Sequence, residues 1–219
     1  MAHVIIGARI MYKKFDDGTI EFLLETGIEE FSSNGLDRAN INHIAKNAGV
    51  SVGVIYKYYQ DKDSFFLACV EHSLKLLENA LNSVTENEDD IENCIRLIVA
   101  ELLDGADKHQ NCYVMYNEIT SGSCRRFAAD LAEKIESHTA SIYTKLIEKA
   151  KADGKISYDG NPRMLAFFFD SWLMMLQFSL SCDYYKERLK IFCGEDILED
   201  KQSLGDMLTE LMKKALGIK

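Results

Sequence analysis

Ala-Asn-Ile-Asn-His-Ile-Ala-Lys-Asn-Ala-Gly-Val-Ser-Val-Gly-Val-Ile-Tyr-Lys-Tyr-Tyr-Gln-Asp-Lys, residues 39–62, is the stretch that decides the fold of this chain. Its apolar positions predict two short helices joined by a tight turn. Asn40 and Ser51 precede the two helices, where a side-chain oxygen can accept a hydrogen bond from an N–H group of the first turn. Gly49 comes at the end of the first helix, where a left-handed backbone favours glycine. The pattern predicts a helix-turn-helix.

The second of these helices is short, and its outward side is unusually apolar. The spacing buries Ile55 and Tyr59 against the rest of the motif. Such a surface is not typical of an ordinary solvent-exposed helix, but it suits a recognition helix that contacts a partner. The residues left facing outward are Val52, Gly53, Val54, Tyr56, Lys57 and Tyr58.

One gapless run of residues resembles the DNA-binding signature of the TetR family of transcriptional repressors. The run is Ile44-Ala45-x-x-Ala48-Gly49-Val50-Ser51-x-Gly53-x-Ile55-Tyr56-x-Tyr58-Tyr59-x-x-Lys62-x-x-Phe65. The resemblance covers roughly residues 17–80, and beyond them the chain shows only the general layout of the family. The alternative for this stretch is a helical hairpin that merely packs.

The resemblance implies which side chains contact DNA. Those that face bases are Asn42, Val52, Gly53, Val54 and Lys57. Those that fit phosphate contacts are Asn40, Tyr56, Tyr58 and Lys62. Lys57 can donate to guanine O6 and N7, and a valine can contact a thymine methyl group. The alternative for the two tyrosines is packing against the first helix, and His43, where the family commonly has an acid, is expected to be a neutral surface histidine.

A recognition helix of this length reads only a few base pairs. Useful specificity therefore requires two copies, and we expect a homodimer on a palindromic site in double-stranded DNA. The net charge of −10 argues against broad non-specific binding to nucleic acid. Residues 38–62 nevertheless carry four bases and one acid, a local charge of +3. Residues 1–14 carry three bases and no acid, also +3, and could act as an N-terminal arm or a flexible tail.

The periodicity predicts an all-α fold with nine or so helices and no strands. We expect a DNA-binding domain over residues 1–84, which includes a long connecting helix after Asp61 or Asp63, and an effector-binding and dimerisation domain over residues 85–219. The polar run 85–90 marks the boundary. The first predicted helix begins near residue 17. The other predicted helices span about 89–104, 106–119, 124–152, 162–182, 184–193 and 201–216.

Helix 162–182 is apolar on nearly every side. Asp170 and Gln177 interrupt a run of only about 17 residues, so a membrane span is not expected. A helix of this kind must be covered on all sides. The family resemblance implies that it forms a four-helix dimer interface with helix 201–216.

The resemblance also implies a small, largely apolar effector in the second domain. Aromatic and other side chains available to line its pocket are Tyr113, Tyr116, Glu118, Phe127, Tyr143, Phe168, Trp172 and Met175. The alternative is that these residues are plain core. Glu118 or Asp170, buried beside aromatic rings, would favour a cationic ligand.

Other classes of function find little support in the sequence. The six cysteines have no Cys-x-x-Cys spacing and are expected to be free thiols in a reducing cytoplasm. No phosphate loop, nucleophile elbow or metal motif is present, so neither an enzyme nor a cofactor is expected. The alternatives are a DNA-binding dimer without an effector (a constitutive repressor, an activator or an architectural protein) and, more remotely, an all-α ligand-binding protein or enzyme.

Overall fold

The computed structural model describes residues 17–88 and 90–218, and within them the chain is helical with no strand. Ile156 and Ile218 form an isolated bridge. The predicted N-terminal arm lies outside the described residues. Two short 3-10 helices occur at Gly122–Phe127 and Glu195–Leu198. The α-helices are α1 Asp17–Arg38, α2 Ile41–Asn47, α3 Val52–Tyr59, α4 Lys62–Asn87, α5 Ile91–Lys108, α6 Gln110–Ile119, α7 Ala128–Ala152, α8 Pro162–Ser181, α9 Asp183–Cys193 and α10 Lys201–Leu216.

The helix-turn-helix is formed by α2 and α3 and begins and ends where the sequence predicts. The side chain of Asn40 accepts a hydrogen bond from the N–H of Asn42 at 2.9 Å. Ser51 accepts one from the N–H of Val54 at 3.3 Å. Gly49 adopts a φ of 68° in the turn between the helices. The predicted caps and turn are therefore confirmed, and each of them depends only on residues close by in the sequence.

An aromatic core holds α1, α3 and α4 together. The ring centroids of Phe31 and Phe66 lie 5.1 Å apart, and Tyr59 lies 4.9 Å from Phe65. Gly27 allows α1 to approach α4 closely, because a Cβ atom there would lie 2.6 Å from the Cys69 sulfur. The orientation of α2 and α3 therefore depends directly on how α1 packs against α4.

The same core continues into the second half of the chain. Met115, Cys124 and Leu131 are buried in one cluster with Phe31 and Phe66. The link between α4 and α5 falls in the predicted polar run, but the two halves share buried surface through α6 and the start of α7. A movement of α6 can therefore displace α1 and α4 directly, because the three helices pack in one core.

A second core is built from α5, α7, α8 and α10. Phe169 of α8 meets Tyr143 of α7 edge to face at 4.9 Å, and Met212 of α10 is fully buried. One side of α8 thus faces its own chain, while the opposite side does not, since Phe167 is 63% exposed. Among the described residues, α8 is the one helix long and apolar enough to cross a membrane by length and composition.

Candidate functional site

The outer surface of α3 carries most of the residues predicted to contact DNA. Ile55 is fully buried and fixes the helix on the core. Gly53 and Lys57 are exposed, and Tyr56 and Tyr58 are each 40% exposed. Val52 faces outward only in part, because it also packs against the aromatic core. Val54 is likewise half-buried.

The electrostatics of this surface favour an anion. The first turns of α2 and α3 contain no acidic residue, so the positive end of the α3 dipole is not offset within its own helix, while the Glu30 carboxylate of α1 lies beside the start of α2. Asn42 is exposed in the first turn of α2. Lys62 is half-buried at the start of α4 and donates to the Asp37 carbonyl at 3.0 Å, which ties the end of α1 to α4. Lys62 therefore has a structural contact as well as its predicted role at phosphates.

Glu30 organises this region and was not singled out from the sequence. Its nearly buried carboxylate accepts hydrogen bonds from the N–H of Asn40 at 2.9 Å and from the Asn34 amide at 3.1 Å. His43 Nδ1 lies 2.5 Å from the same carboxylate, so His43 is exposed but has an acidic partner. Burial raises the pKa of Glu30, but these hydrogen bonds outweigh it and the pKa is lowered. The sequence did contain one signal for this role. Glu30 lies seven residues, or about two helical turns, after Leu23 and is therefore on the same buried face of α1.

A cavity, here called the central cavity, lies among α4, α5, α6, α7 and α8. It comprises about 820 Å³, including the space at its mouth. Most of its wall is apolar, and among the described residues that line it four are acidic and none is basic. The lining residues are Leu74, Glu78, Leu81, Val84, Ile98, Glu101, Leu102, Tyr116, Ile135, Glu136, Thr139, Tyr143, Asp170, Leu173, Met174 and Gln177.

The polar groups of the central cavity are coupled to one another. Tyr116 donates to the Glu136 carboxylate at 3.3 Å, and burial raises the pKa of Glu136. Burial, with a smaller contribution from the charge of Glu136, raises the pKa of Asp170 to about 7. Gln177 is only 6% exposed, and its Nε2 has no hydrogen-bond partner. A buried hydrogen-bond donor without an acceptor is costly unless something binds there.

The structure brings only two of the eight predicted ligand residues, Tyr116 and Tyr143, into the central cavity. Tyr113 is buried instead beside Gly105 and donates to the Leu102 carbonyl at 2.8 Å. Phe168 and Met175 are exposed on the outer side of α8.

Trp172, Phe127 and Glu118 also lie away from this cavity. Trp172 packs against the second core, and Phe127 packs on the aromatic core beneath the Arg126 guanidinium at 4.6 Å. Glu118 accepts the N–H of Leu36 at 2.9 Å and the Ser123 hydroxyl at 2.7 Å. Helical spacing alone did not distinguish these packing and bridging positions from the cavity wall.

Glu118 and Arg126 connect the two halves of the chain. Glu118 of α6 holds the backbone of α1 just after Gly35, a residue with a φ of 71°. Arg126 donates to both carboxylate oxygens of Asp63, at 3.0 Å and 2.6 Å, in the first turn of α4. These contacts join the segment around Gly122–Phe127 to the helices that support α3.

The cysteines and histidines show one unexpected grouping. All six cysteines are free, and Cys69 points to the Leu24 carbonyl in the core. His72 does not pair with Cys69. It lies with Glu21 and Glu25, and potential ligand atoms of these three residues are within 4.8 Å of one another.

Comparison with known proteins points to one family. The family described as "Bacterial regulatory proteins, tetR family" matches residues 23–69. An HTH-type transcriptional regulator of Bacillus subtilis, YvdT, is 26% identical over 153 residues, which cover 70% of this chain and 77% of that protein. The nucleoid occlusion factor SlmA of Haemophilus influenzae is 32% identical over 78 residues, and this match spans only 36% of each protein.

Solved structures share the fold across nearly the whole chain. A TetR-family transcriptional regulator from Rhodococcus sp. superimposes with a TM-score of 0.70 at 16% identity, covering 92% of this chain and all of that one. The regulator FadR from Bacillus subtilis, solved with stearoyl-CoA, gives a TM-score of 0.67 at 14% identity and covers 87% of this chain and 97% of its own. The capped helix-turn-helix, the match over residues 23–69 and the shared fold lead to one conclusion: the N-terminal part of the chain matches the tetR family of bacterial regulatory proteins, and the chain has the fold of the solved TetR-family regulators.

Proposed function

We propose that this protein is a ligand-responsive repressor that binds a palindromic operator as a homodimer in the cytoplasm. A small, largely apolar effector would release it from DNA. The observation that carries the proposal is the position of α4, which lines the central cavity through Leu74, Glu78 and Leu81 and supports α3 at its other end. One rigid helix thus connects a candidate effector site to the candidate DNA surface.

DNA recognition in this proposal uses the outer side of α3 and the first turn of α2. Lys57 is the best candidate for reading a base, since it is exposed and its ammonium can donate to guanine. Gly53 has room for a Cβ atom within the protein, because the nearest atom would be 3.9 Å away. Its glycine therefore suits a close approach of the helix backbone to DNA. Tyr56, Tyr58, Asn40 and Asn42 would supply the surrounding contacts.

Dimerisation would cover the outer side of α8 and the exposed side of α10. Met164 and Phe167 of α8, and Met207 and Leu211 of α10, are each more than half exposed. Apolar side chains in this number are covered by a partner in most soluble proteins. Two copies related by a twofold axis would present two α3 helices to successive turns of one DNA groove.

Release from the operator would follow a shift between two spacings of the α3 helices. A ligand between α4 and α8 would favour the spacing that does not match the operator. Lys62 and Asp63, at the start of α4, carry the contacts to α1 and to Arg126 through which that shift would reach α3. The alternative, a DNA-binding dimer without an effector, receives support from the partial match to a nucleoid occlusion factor, and the central cavity speaks against it.

Selection of operator sequences from a random duplex pool, followed by binding titrations at several salt concentrations, tests the DNA surface. Lys57→Ala should relax the base preference at one position of each half-site, by about 1–3 kcal/mol. Lys62→Ala should weaken all sequences alike and reduce the slope of affinity against salt. If both variants bind the selected operator as the wild type does, the assignment of this surface is wrong.

A further inference from the structure

We infer that the central cavity binds an amphiphilic cation, with an apolar body against the aliphatic wall and one positive charge between Asp170 and Glu136. The ligand class is a hydrophobic amine or quaternary ammonium compound. The regulatory consequence rests on the proposed function, whereas the binding itself does not.

The first support is the charge of the wall. Glu78, Glu101, Glu136 and Asp170 come from four different helices and line one space, and the lining residues that the structure describes include no lysine, arginine or histidine. When all four ionise, the cavity carries four negative charges without an internal counter-ion. An apolar anion would meet only repulsion here, while a cation would reduce the cost of ionising the buried pair.

The second support is the arrangement of the polar groups. Asp170 of α8 and Glu136 of α7 both line the cavity and interact electrostatically, and Tyr116 donates its hydroxyl to Glu136. Tyr116 and Tyr143 line the same space, and aromatic rings add attraction for a cation. These groups place the positive charge of the ligand on the side of the central cavity that is formed by α7 and α8.

The third support is Gln177, which supplies a reason for a ligand to be present at all. Its Nε2 is buried in the wall without an acceptor, on the same helix as Asp170. A ligand that carries an oxygen acceptor next to its apolar body would satisfy it. The preferred ligand is therefore a cation that also offers one hydrogen-bond acceptor.

Asp170 and Glu136 also line a second concave region of the surface. A groove between α7 and α8 shares Glu136, Thr139, Asp170 and Met174 with the central cavity. The groove also carries Lys145, Glu148 and Arg163, so it has charges of both signs. In the central cavity itself, the charged residues that the structure describes are all acidic.

Calorimetric titration of the intact protein with three probes of one chain length tests the inference. The probes are decyltrimethylammonium, decanol and decanoate, all below their aggregation concentrations. We expect the cation to bind at least tenfold more tightly than the alcohol, and the carboxylate to bind weakest. Asp170→Asn and Glu136→Gln should each weaken the cation about tenfold or more and leave decanol unchanged.

A matched control and a pH series make the test specific. Glu133→Gln removes an exposed acid from α7, one turn from Glu136, and should change nothing. Affinity for decyltrimethylammonium should rise from pH 6 to pH 8 in the wild type and stay flat in Asp170→Asn, since Asp170 must ionise to receive the cation. The titratable and charged groups around Asp170 are Glu78, Glu101, Tyr116, Glu136, Tyr143, Lys145, Glu148 and Arg163.

The outcomes separate this inference from the proposed function. Equal binding of the three probes, tightest binding of decanoate, no binding of any probe, or an Asp170→Asn variant that binds the cation like the wild type would each overturn the inference. Cation binding that leaves operator affinity unchanged would uphold it and contradict ligand-controlled release. Melting curves of each variant confirm that the protein titrated is folded.

Discussion

At the scale of single residues, two buried carboxylates lie in opposite environments. Glu30 is held by three donors and its pKa is lowered, whereas Asp170 faces an apolar wall and another acid and its pKa is raised to about 7. Glu30 therefore serves the fold of the DNA-binding half. Asp170 costs the fold stability when it ionises, which is typical of a group kept for binding.

Glu30→Gln should lower the free energy of unfolding by about 1–3 kcal/mol at neutral pH, because charged hydrogen bonds to the Asn40 N–H and to His43 are lost. Since the folded pKa of Glu30 is lowered, its contribution is present above the ordinary value of 4.5 and lost as the pH falls through the folded value. Chemical denaturation at pH 7 and pH 3 measures this. Glu29→Gln, an exposed neighbour, is the control. A Glu30→Gln variant as stable as that control would contradict the account.

Asp170→Asn should have the opposite effect and stabilise the protein above pH 7. Because the folded pKa is raised, the stabilising influence of Asp170 is complete below its ordinary value of 3.8 and is lost as the pH rises through about 7. The wild type should lose on the order of 2 kcal/mol relative to Asp170→Asn between pH 5 and pH 8. Parallel melting temperatures of the two proteins across that range would show that the carboxyl group is not buried as described.

At the scale of helices, two glycines should respond to alanine in opposite ways. Gly53 is an exposed helical residue with room for a methyl group, so Gly53→Ala should raise stability by about 1 kcal/mol. It should nevertheless weaken operator binding, because the added methyl group would stand between α3 and DNA. Melting curves and operator titrations measure the two effects. A variant that gains stability and keeps full affinity would remove Gly53 from the DNA surface.

Gly27→Ala should instead destabilise the protein by about 1–3 kcal/mol, because its Cβ would meet the Cys69 sulfur at 2.6 Å and the Phe65 ring at 2.8 Å. The strain pushes α1 away from α4 and so disturbs the support of α3. Denaturant unfolding of the two alanine variants side by side provides the comparison, and equal stabilities would contradict the packing described for α1 and α4.

The sequence predicts the helix-turn-helix well because its determinants are local. The caps at Asn40 and Ser51 and the turn at Gly49 act within a few residues, so each could be assigned without knowing any neighbour in space. The cavity was predicted poorly for the opposite reason. Glu118 and Phe127 are residue types that are common in ligand sites. Only the packing shows that Glu118 bridges α6 to α1 and that Phe127 packs against the aromatic core. Glu78, Glu101 and Glu136 resemble ordinary solvated acids in the sequence, and only the packing of α4, α5 and α7 brings them to one cavity.

At the scale of the whole molecule, an acidic protein carries a local positive charge over residues 38–62, the proposed DNA surface, and leaves an apolar surface on α8 and α10. Phe167→Glu should leave the fold intact, because the side chain is 63% exposed, but it should dissociate the proposed dimer and reduce operator affinity at least tenfold. Phe22→Glu, an exposed aromatic of α1, is the matched control for added charge. Sedimentation analysis at micromolar concentration reads out the assembly. Unchanged assembly in Phe167→Glu would exclude the outer side of α8 from the interface.

The mass of the protein–operator complex, measured by native mass spectrometry on a selected palindromic duplex, tests the central claim most directly. The account predicts two chains on one duplex with half-sites a whole helical turn apart, and loss of base preference in Lys57→Ala at unchanged stoichiometry. A single chain on the duplex, or two chains whose base preference does not depend on the side chains of α3, would contradict it.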